Sequence, residues 1–105
     1  MKKEWKIYEF EKCLQKIPRY NKIPKNKFLL EGIFPIISQE KDFINGYWDN
    51  FEDVIEVKKP VVIFGDHTKV VKLIDFNFVV GADGVKIFQP IDEINAEYLA
   101  FFLQN

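Results

Sequence analysis

The sequence is poor in the residues that most often form catalytic or metal sites. Its 105 residues include one cysteine, Cys13, and one histidine, His67. A single cysteine cannot form an internal disulfide, and Cys13 has no second Cys or His at the spacing of a zinc site. We therefore expect Cys13 to be a small, semi-buried free thiol in a reducing compartment, and we expect no metal centre.

The sequence also lacks long apolar runs. A run such as residues 61–64 is far shorter than the roughly 18 residues that span a bilayer, and no apolar segment follows the first three residues. We expect a soluble, cytoplasmic protein. Because 48% of the residues are hydrophobic, residues 1–105 can bury a modest core, and we predict a single domain.

Arginine is nearly absent and the net charge is −1, but the charges are segregated along the chain. Residues 1–30 hold nine basic and three acidic side chains, whereas residues 31–57 hold one basic and seven acidic side chains. Such a chain can present one basic face to a polyanion such as DNA. Lysines that only solvate the surface explain the same pattern equally well.

The first half of the chain predicts short strands and loops. Residues 5–17 mix period two with helical spacing, which predicts a short strand and then one or two helical turns. Residues 19–32 are rich in Lys, Asn and Pro and predict a basic loop. An apolar strand is expected over residues 33–39, with Pro35 at its start or on a sheet edge. Asn45-Gly46 predicts a tight hairpin turn.

Residues 58–88 predict three strands joined by polar turns. The first, residues 60–64, is continuously apolar, as in a central strand that is buried on both faces. The second covers residues 70–74 and resumes after a turn, and its partial alternation predicts that Lys72 points outward. A turn at residues 81–84, whose glycines permit positive φ, leads into the last strand.

The end of the chain predicts a helix. Asp92 or Asn95 can cap it, and its expected apolar face holds Ile94, Tyr98, Leu99 and Phe102. The pattern reaches the last residue without a capping signal, which suggests a truncated chain. Together the elements predict an α+β domain in which a twisted mixed sheet carries peripheral helices.

Motifs for catalysis are weak. Asp66 and His67 are adjacent, and adjacent side chains of an extended strand point to opposite faces, so they form a poor dyad or metal chelate unless the loop turns sharply there. Asp83 as a third metal ligand is geometrically possible, but nothing in the sequence supports it. Gly81 and Gly84 lack the Lys-Ser/Thr pair and the helix start of a phosphate loop. No nucleophile elbow, Cys-x-x-Cys pair or His-Glu-x-x-His helix occurs. We therefore assign no catalytic residue, no metal ligand and no cofactor.

Three sequence blocks carry a family resemblance. They read EGIFPIISQEKDFINGYWDN, KPVVIFGDHTKVVKLIDFNFVVGADGVKIF and INAEYLAFFL. In this order and at these intervals, they resemble a target recognition domain of the specificity subunit of Type I restriction–modification enzymes. The resemblance covers roughly residues 5–103. Its most specific part is Phe-Gly-Asp-His-Thr followed by Gly-Ala-Asp-Gly-Val.

The resemblance implies a DNA-reading module of a host-defence system, without catalysis of its own. In that family, two recognition domains each read one half of a bipartite DNA sequence, and long helical spacers between them dock the methyltransferase subunits. Those subunits bring S-adenosylmethionine, and the complex can recruit an ATP-dependent nuclease subunit. This chain departs from the pattern because it has one recognition domain at most and no helical spacer. A partial domain or a small stand-alone relative is therefore expected, and docking to partner subunits is left open.

The expected DNA contacts are polar or aromatic residues of turns and strand ends: Lys22, Lys25, Asn26, Lys27, Gln39, Lys41, Tyr47, Trp48, His67, Thr68 and Lys69. The lysines suit phosphate, and Asn26 suits the hydrogen-bonding edge of adenine. Tyr47 and Trp48 can pack against sugar or base, although a hydrophobic anchor is their favoured use. The insert that holds His67 is interpreted mainly as a fixed connection between two strands, from which side chains can reach phosphate or a base edge.

Two other functions fit parts of the sequence. Clustered Phe101, Phe102 and Leu103 at the unfinished helix favour a protein-interaction module, which pairs with a second copy or a methyltransferase subunit and hardly binds DNA alone. A small enzyme that uses Asp66 and His67 is the weaker alternative.

Overall fold

The computed structural model describes residues 14–15, 17, 19–91 and 95–104. Within these residues the chain forms two small β-sheets and a C-terminal helix, which confirms the predicted α+β class. The strands are β1 (Leu14–Gln15), β2 (Lys22–Ile23), β3 (Phe34–Ile37), β4 (Gly46–Trp48), β5 (Val54–Ile55), β6 (Val61–Gly65), β7 (Val71–Ile74), β8 (Phe78–Gly81) and β9 (Val85–Pro90). Short 3₁₀ turns cover Lys25–Lys27 and Phe51–Asp53, and helix α1 covers Ala96–Gln104.

The first sheet has the order β1-β9-β6-β7, and each neighbouring pair is antiparallel. Strand β6 lies between β9 and β7, with Val62 opposite both Phe88 and Leu73. Helix α1 lies against β7 and β6, and the second sheet covers the other face. Burial on both faces explains why β6 is continuously apolar, and its predicted central position is confirmed.

The second sheet has the order β2-β8-β3-β4, and β5 pairs with β8 as well. Strand β8 is parallel to β2 and β3 and antiparallel to β5, and all four of its residues are buried. We predicted residues 78–80 as the continuation of the preceding strand, which was wrong. The turn at residues 75–77 instead carries the chain from the first sheet into the second. The sheet to which a strand belongs depends on the strands that pair with it, and the hydrophobic pattern of a strand does not identify those neighbours.

The core lies between the two sheets. Its buried members are Ile37, Val61, Ile63, Ile74, Phe78, Val80 and Val85. Adjacent strand residues point to opposite faces, so Ile36 and Val79 face the other side of the second sheet. There they form a smaller cluster with Ile23, against which Phe28 and Trp48 pack. The second sheet is therefore also covered on both faces.

The predicted tight turn at Asn45-Gly46 was wrong. Strands β3 and β4 do pair, but Gly46 is the first residue of β4 and lies opposite Ile36, and residues 38–45 form the connection. A Cβ on Gly46 would lie 2.8 Å from the Cβ of Phe28. This position requires glycine because the Phe28 side chain packs directly on the strand. The sequence Asn-Gly therefore reflects a tertiary contact here, although the same pair is a common turn signal.

Two predictions for the N-terminal segment also need correction. The helical turns expected before Pro18 are replaced, where the structure describes the segment, by strand β1, which pairs with β9. The basic loop at residues 19–32 contains strand β2 and the first 3₁₀ turn. Two-residue strands carry almost no periodicity, so pairing with a neighbour decides them. Cys13 and the strand predicted before it lie outside the described residues.

Helix α1 begins after Asn95, whose side-chain oxygen accepts a hydrogen bond from the backbone N–H of Tyr98 at 3.0 Å. This confirms Asn95 as a cap, while Asp92 and Ile94 lie outside the described residues. Leu99 is buried as predicted, but Tyr98 is 62% exposed, so its place on the buried face was wrong. In the described part of the chain, no helix has the length and apolar character needed to cross a membrane.

The predicted outward direction of Lys72 was wrong. Lys72 is 4% exposed and points with Ile74 toward the space between the sheets, while Val71 and Leu73 on the other face are half-buried. Strand alternation separates the two faces but does not say which face meets the larger neighbour. A lysine can occupy the buried face when its apolar stem is covered and its amino group meets acceptors.

Candidate nucleic-acid interface

Three connections meet at one end of the two sheets. They are the 3₁₀ turn Lys25–Lys27, residues 39–41 after β3, and residues 66–69 between β6 and β7. We call them together the loop edge. A fourth turn, residues 82–84 between β8 and β9, lies beside them and is hydrogen-bonded to the side chain of Gln39. The loop edge therefore joins segments that are distant in the sequence.

Gln39 is the centre of the loop edge. Its side-chain oxygen accepts hydrogen bonds from the backbone N–H groups of His67 at 2.9 Å and Thr68 at 3.1 Å. Its side-chain nitrogen donates to the backbone oxygen of Asp83 at 2.8 Å. One amide side chain thus satisfies backbone groups from two turns, which is a use that suits its paired donor and acceptor atoms.

The turn at residues 66–69 is held by further bonds of its own. The Thr68 hydroxyl donates to the backbone oxygen of Gln39 at 2.7 Å. Lys69 has a φ of 63°, and its backbone N–H donates to the oxygen of Gly65 at 2.9 Å while its Nζ donates to the oxygen of Asp66 at 2.9 Å. The prediction that this insert is a fixed connection between two strands is confirmed. His67, Thr68 and Lys69 remain exposed on it.

The turn at residues 82–84 fits closely against Gln39. Gly84 has a φ of 75°, which favours glycine, and a Cβ at this position would overlap the Gln39 side-chain nitrogen. The backbone oxygen of Gly84 accepts a hydrogen bond from Asp66 N–H at 2.8 Å. Positive φ was predicted for this turn, and Gly84 has it. The glycine therefore allows the two turns and Gln39 to approach one another.

The 3₁₀ turn is tied to the neighbouring turns through the end of strand β2, which precedes it, and through an ion pair. The backbone oxygen of Ile23 accepts a hydrogen bond from Ala82 N–H at 2.8 Å. Lys25 Nζ lies 2.7 Å from a Glu40 carboxylate oxygen, and the two side chains are 72% and 43% exposed. An exposed pair of this kind contributes little to stability, because water and salt screen it. Asn26 and Lys27 are exposed on the same turn.

The charges of the loop edge leave a modest positive surplus. Glu40 faces Lys25, and the Asp66 carboxylate lies 3.6 Å from Lys86 Nζ on β9. The exposed lysines of the edge then include Lys27, Lys41 and Lys69, against the exposed carboxylate of Asp83. Lysine ammonium groups at such positions can meet phosphate oxygens.

The structure brings most, but not all, of the predicted contact residues to the loop edge. Those on it are Lys25, Asn26, Lys27, Gln39, Lys41, His67, Thr68 and Lys69. Lys22 is exposed on the neighbouring strand β2. The side-chain oxygen and one N–H of Gln39 are already used within the protein. Gln39 therefore supports the loop edge through these hydrogen bonds.

Tyr47 and Trp48 lie elsewhere, on strand β4. The register places Trp48 opposite Phe34, at the end of β3 that is remote from the loop edge. The indole N–H of Trp48 donates to an Asp53 carboxylate oxygen at 2.8 Å, and the ring packs against the smaller core cluster. Trp48 is thus a hydrophobic anchor, as the favoured interpretation had it.

Lys72 makes a set of buried contacts that the sequence did not indicate. Its Nζ donates to the backbone oxygens of Ser38 at 2.9 Å and Asp42 at 2.6 Å. It also lies 3.2 Å from the oxygen of Phe43 and 2.9 Å from the side-chain oxygen of Asn45. These acceptors all belong to residues 38–45, the connection that carries Gln39. A single lysine between apolar residues gives no sequence signal for such a role.

The amino group of Lys72 has a perturbed pKa. Burial lowers its pKa from 10.5 to about 8, and the nearby carboxylates of Glu40 and Asp42 act in the opposite direction.

Among the described residues, no group of three or more His, Cys, Asp or Glu side chains is arranged to hold a metal ion.

Comparison with known proteins yields no family, no curated protein and no solved structure that matches this chain.

Proposed function

We propose that this chain is a DNA-recognition module that reads one half of a bipartite target, as in the specificity subunit of a Type I restriction–modification enzyme. The observation that supports this most is the loop edge. Most of the predicted contact residues, although spread from Lys25 to Lys69 in the sequence, lie on one exposed edge of a sheet framework. A surface of this kind, with polar side chains on rigid turns, suits backbone docking and base reading together.

In the proposed mechanism, Lys27, Lys41 and Lys69 dock on phosphates and set the register of the protein on the duplex. Asn26 and His67 then reach base edges in the major groove, where donor and acceptor patterns distinguish the base pairs. Because Gln39 already holds the turns, little loop order has to be gained on binding, which reduces the entropic cost of association.

The proposed binding is weak and strongly dependent on salt. The chain has one arginine, Arg19, so its phosphate contacts are made by lysine and few bidentate guanine contacts are possible. One half-site also offers about half of the contacts of a complete target. Methylation and cleavage belong, in this proposal, to partner methyltransferase and nuclease subunits, and the chain itself carries no catalysis and no cofactor.

The test is binding to randomised duplex DNA across a salt series, with sequencing of the bound fraction. Lys69→Ala and Lys58→Ala form a matched pair, because both remove an exposed lysine near an end of β6, at the loop edge and at the opposite end respectively. We expect an enriched short motif, and we expect Lys69→Ala to weaken binding more than Lys58→Ala.

Absence of binding at low salt would overturn the proposal for the isolated chain. Equal effects of the two substitutions would show that any binding is diffuse attraction to lysines rather than docking of the loop edge.

A second candidate is supported by helix α1. Tyr98 and Phe101 are 62% and 63% exposed, and residues three apart lie on the same side of a helix. This favours a protein-interaction module that pairs with a second copy or with a methyltransferase subunit. Sedimentation of the wild type and of Tyr98→Lys over a concentration range tests it, because only this candidate predicts self-association that the substitution abolishes.

A further inference from the structure

Lys72 places one amino group among several oxygen atoms of a single connection. The nearest are the backbone oxygens of Ser38 and Asp42 and the side-chain oxygen of Asn45, all within 2.9 Å of Nζ. The Asn45 oxygen also accepts Ser38 N–H at 2.7 Å, and the Asn45 nitrogen donates to the oxygen of Asp42 at 2.8 Å. Lys72 and Asn45 therefore hold the two ends and the middle of the connection at residues 38–45 together by hydrogen bonds on its buried side.

The same connection carries the support of the loop edge. Gln39 follows Ser38 directly, and its side chain holds the N–H groups of His67 and Thr68. Lys72, on the buried face of β7, is thus linked to the turn at residues 66–69 by its hydrogen bond to Ser38, the peptide bond from Ser38 to Gln39, and the hydrogen bonds of the Gln39 side chain. Two parts of the loop edge, residues 39–41 and residues 66–69, are thus linked although they are far apart in the sequence.

We infer that Lys72 is the positioning residue of the loop edge: its amino group holds residues 38–45 in the shape that presents Gln39 to the turn at residues 66–69. The ordering of the loops is a property of the free protein. The consequence for DNA binding rests on the proposed function.

The chemistry of lysine fits this role. Its amino group offers three N–H donors at the end of a long apolar stem, so a residue of a buried strand can satisfy several backbone oxygens of a neighbouring loop. Methionine has a similar length but no donor, and it would leave those oxygens without their partner. The charged groups near the amino group are Glu40 and Asp42, while its partner on β6 is the apolar Ile63.

Amide hydrogen exchange of the full chain tests the inference. In Lys72→Met, we expect the His67 and Thr68 amides to exchange at least about fivefold faster than in the wild type, as for the loss of a hydrogen-bonded group. Amides of the β6–β9 ladder should accelerate less. Lys41→Met is the matched control, because it makes the same chemical change at an exposed position of the same connection.

Asn45→Ala is a second variant in case Lys72→Met folds poorly. It removes one acceptor of the amino group and leaves the core strands intact, and we expect the same two amides to accelerate. A rescue separates positioning from general stability. Lys72→Cys in a Cys13→Ser background, treated with bromoethylamine in denaturant and refolded, regains a side chain that ends in an amino group and should restore the slow exchange.

Unchanged exchange of the His67 and Thr68 amides in a folded Lys72→Met, or equal acceleration of every amide, would overturn the inference. If Lys72→Met does not fold, unchanged exchange of these amides in Asn45→Ala would overturn it. DNA binding distinguishes this outcome from failure of the proposed function. If the wild type does not bind DNA but the two amides accelerate as expected, the proposed function fails and the positioning role of Lys72 stands.

Discussion

The side-chain oxygen of Gln39 lies 2.9 Å from the backbone nitrogen of His67, and the two residues are 28 positions apart in the sequence. Gln39 follows a strand of the second sheet, whereas His67 lies between two strands of the first. The hydrogen bond therefore ties the two sheets together at the loop edge. Because two turns are hydrogen-bonded to this one side chain, its removal has effects that can be measured.

We expect Gln39→Ala to lower the free energy of unfolding by about 1–3 kcal/mol, because the N–H groups of His67 and Thr68 lose their acceptor. Urea denaturation followed by tryptophan fluorescence measures the change. Gln104→Ala, at the exposed end of α1, is the control and should change stability little. Equal stability of the two variants would contradict a supporting role for Gln39.

We expect Gly84→Ala to destabilise the protein by about 1–2 kcal/mol from its positive φ alone. The new Cβ would also overlap the Gln39 side chain, so part of the loss should disappear in a Gln39→Ala background. A double-mutant cycle by thermal or urea unfolding measures this coupling. Strictly additive effects would show that Gln39 and Gly84 do not contact each other as described.

Stability should rise with pH in a range set by Lys72. Burial lowers its pKa from 10.5 to about 8, so in this range the unfolded chain binds more protons than the folded chain. The free energy of unfolding therefore increases between about pH 8 and pH 10, as the cost of burying the ammonium is removed. Burial raises the pKa of Tyr20, which acts in the opposite direction above about pH 10.

The comparison of wild type with Lys72→Met isolates this effect, because the other titrating groups are common to both proteins. We expect the difference in urea midpoint between the two to shift in favour of the wild type as the pH rises from about 7 to about 10. A difference that stays constant over this range would contradict a lowered pKa for Lys72.

The proposed DNA contacts predict a change in salt dependence. The slope of log K against log salt is negative, and its magnitude should decrease by about 0.9 for each phosphate contact that is lost. Lys27→Ala should show this fall, whereas Lys58→Ala should leave the slope unchanged. Fluorescence anisotropy with the enriched duplex at several salt concentrations measures both. An equal fall in both variants would remove the support for docking through the loop edge.

Trp48→Phe separates the two roles considered for this residue. The indole N–H donates to Asp53 at 2.8 Å, so its loss should lower the free energy of unfolding by about 1 kcal/mol. Since Trp48 lies away from the loop edge, DNA affinity at a given salt concentration should not change. A variant that is fully stable but binds DNA less well would instead make Trp48 a contact residue.

The sequence by itself determined the class of the fold and most of its strands. Continuous apolar residues identified β6 as central, and Asn95 identified the start of α1, because burial and capping are set by residues close together in the chain. It also placed the polar insert after β6 at a fixed connection, since Gly65 and Thr68 carry the necessary local chemistry.

Only the tertiary structure decided how these pieces meet. Gly46 is needed for the Phe28 side chain rather than for a turn, and β8 pairs in a different sheet from the strand before it. Lys72 points inward because residues 38–45 offer oxygen atoms to its amino group. Gln39 supports the loop edge because two turns that are distant in the sequence, residues 66–69 and 82–84, fold around its side chain. Such contacts depend on partners far apart in the chain, and periodicity and local propensity carry no information about those partners.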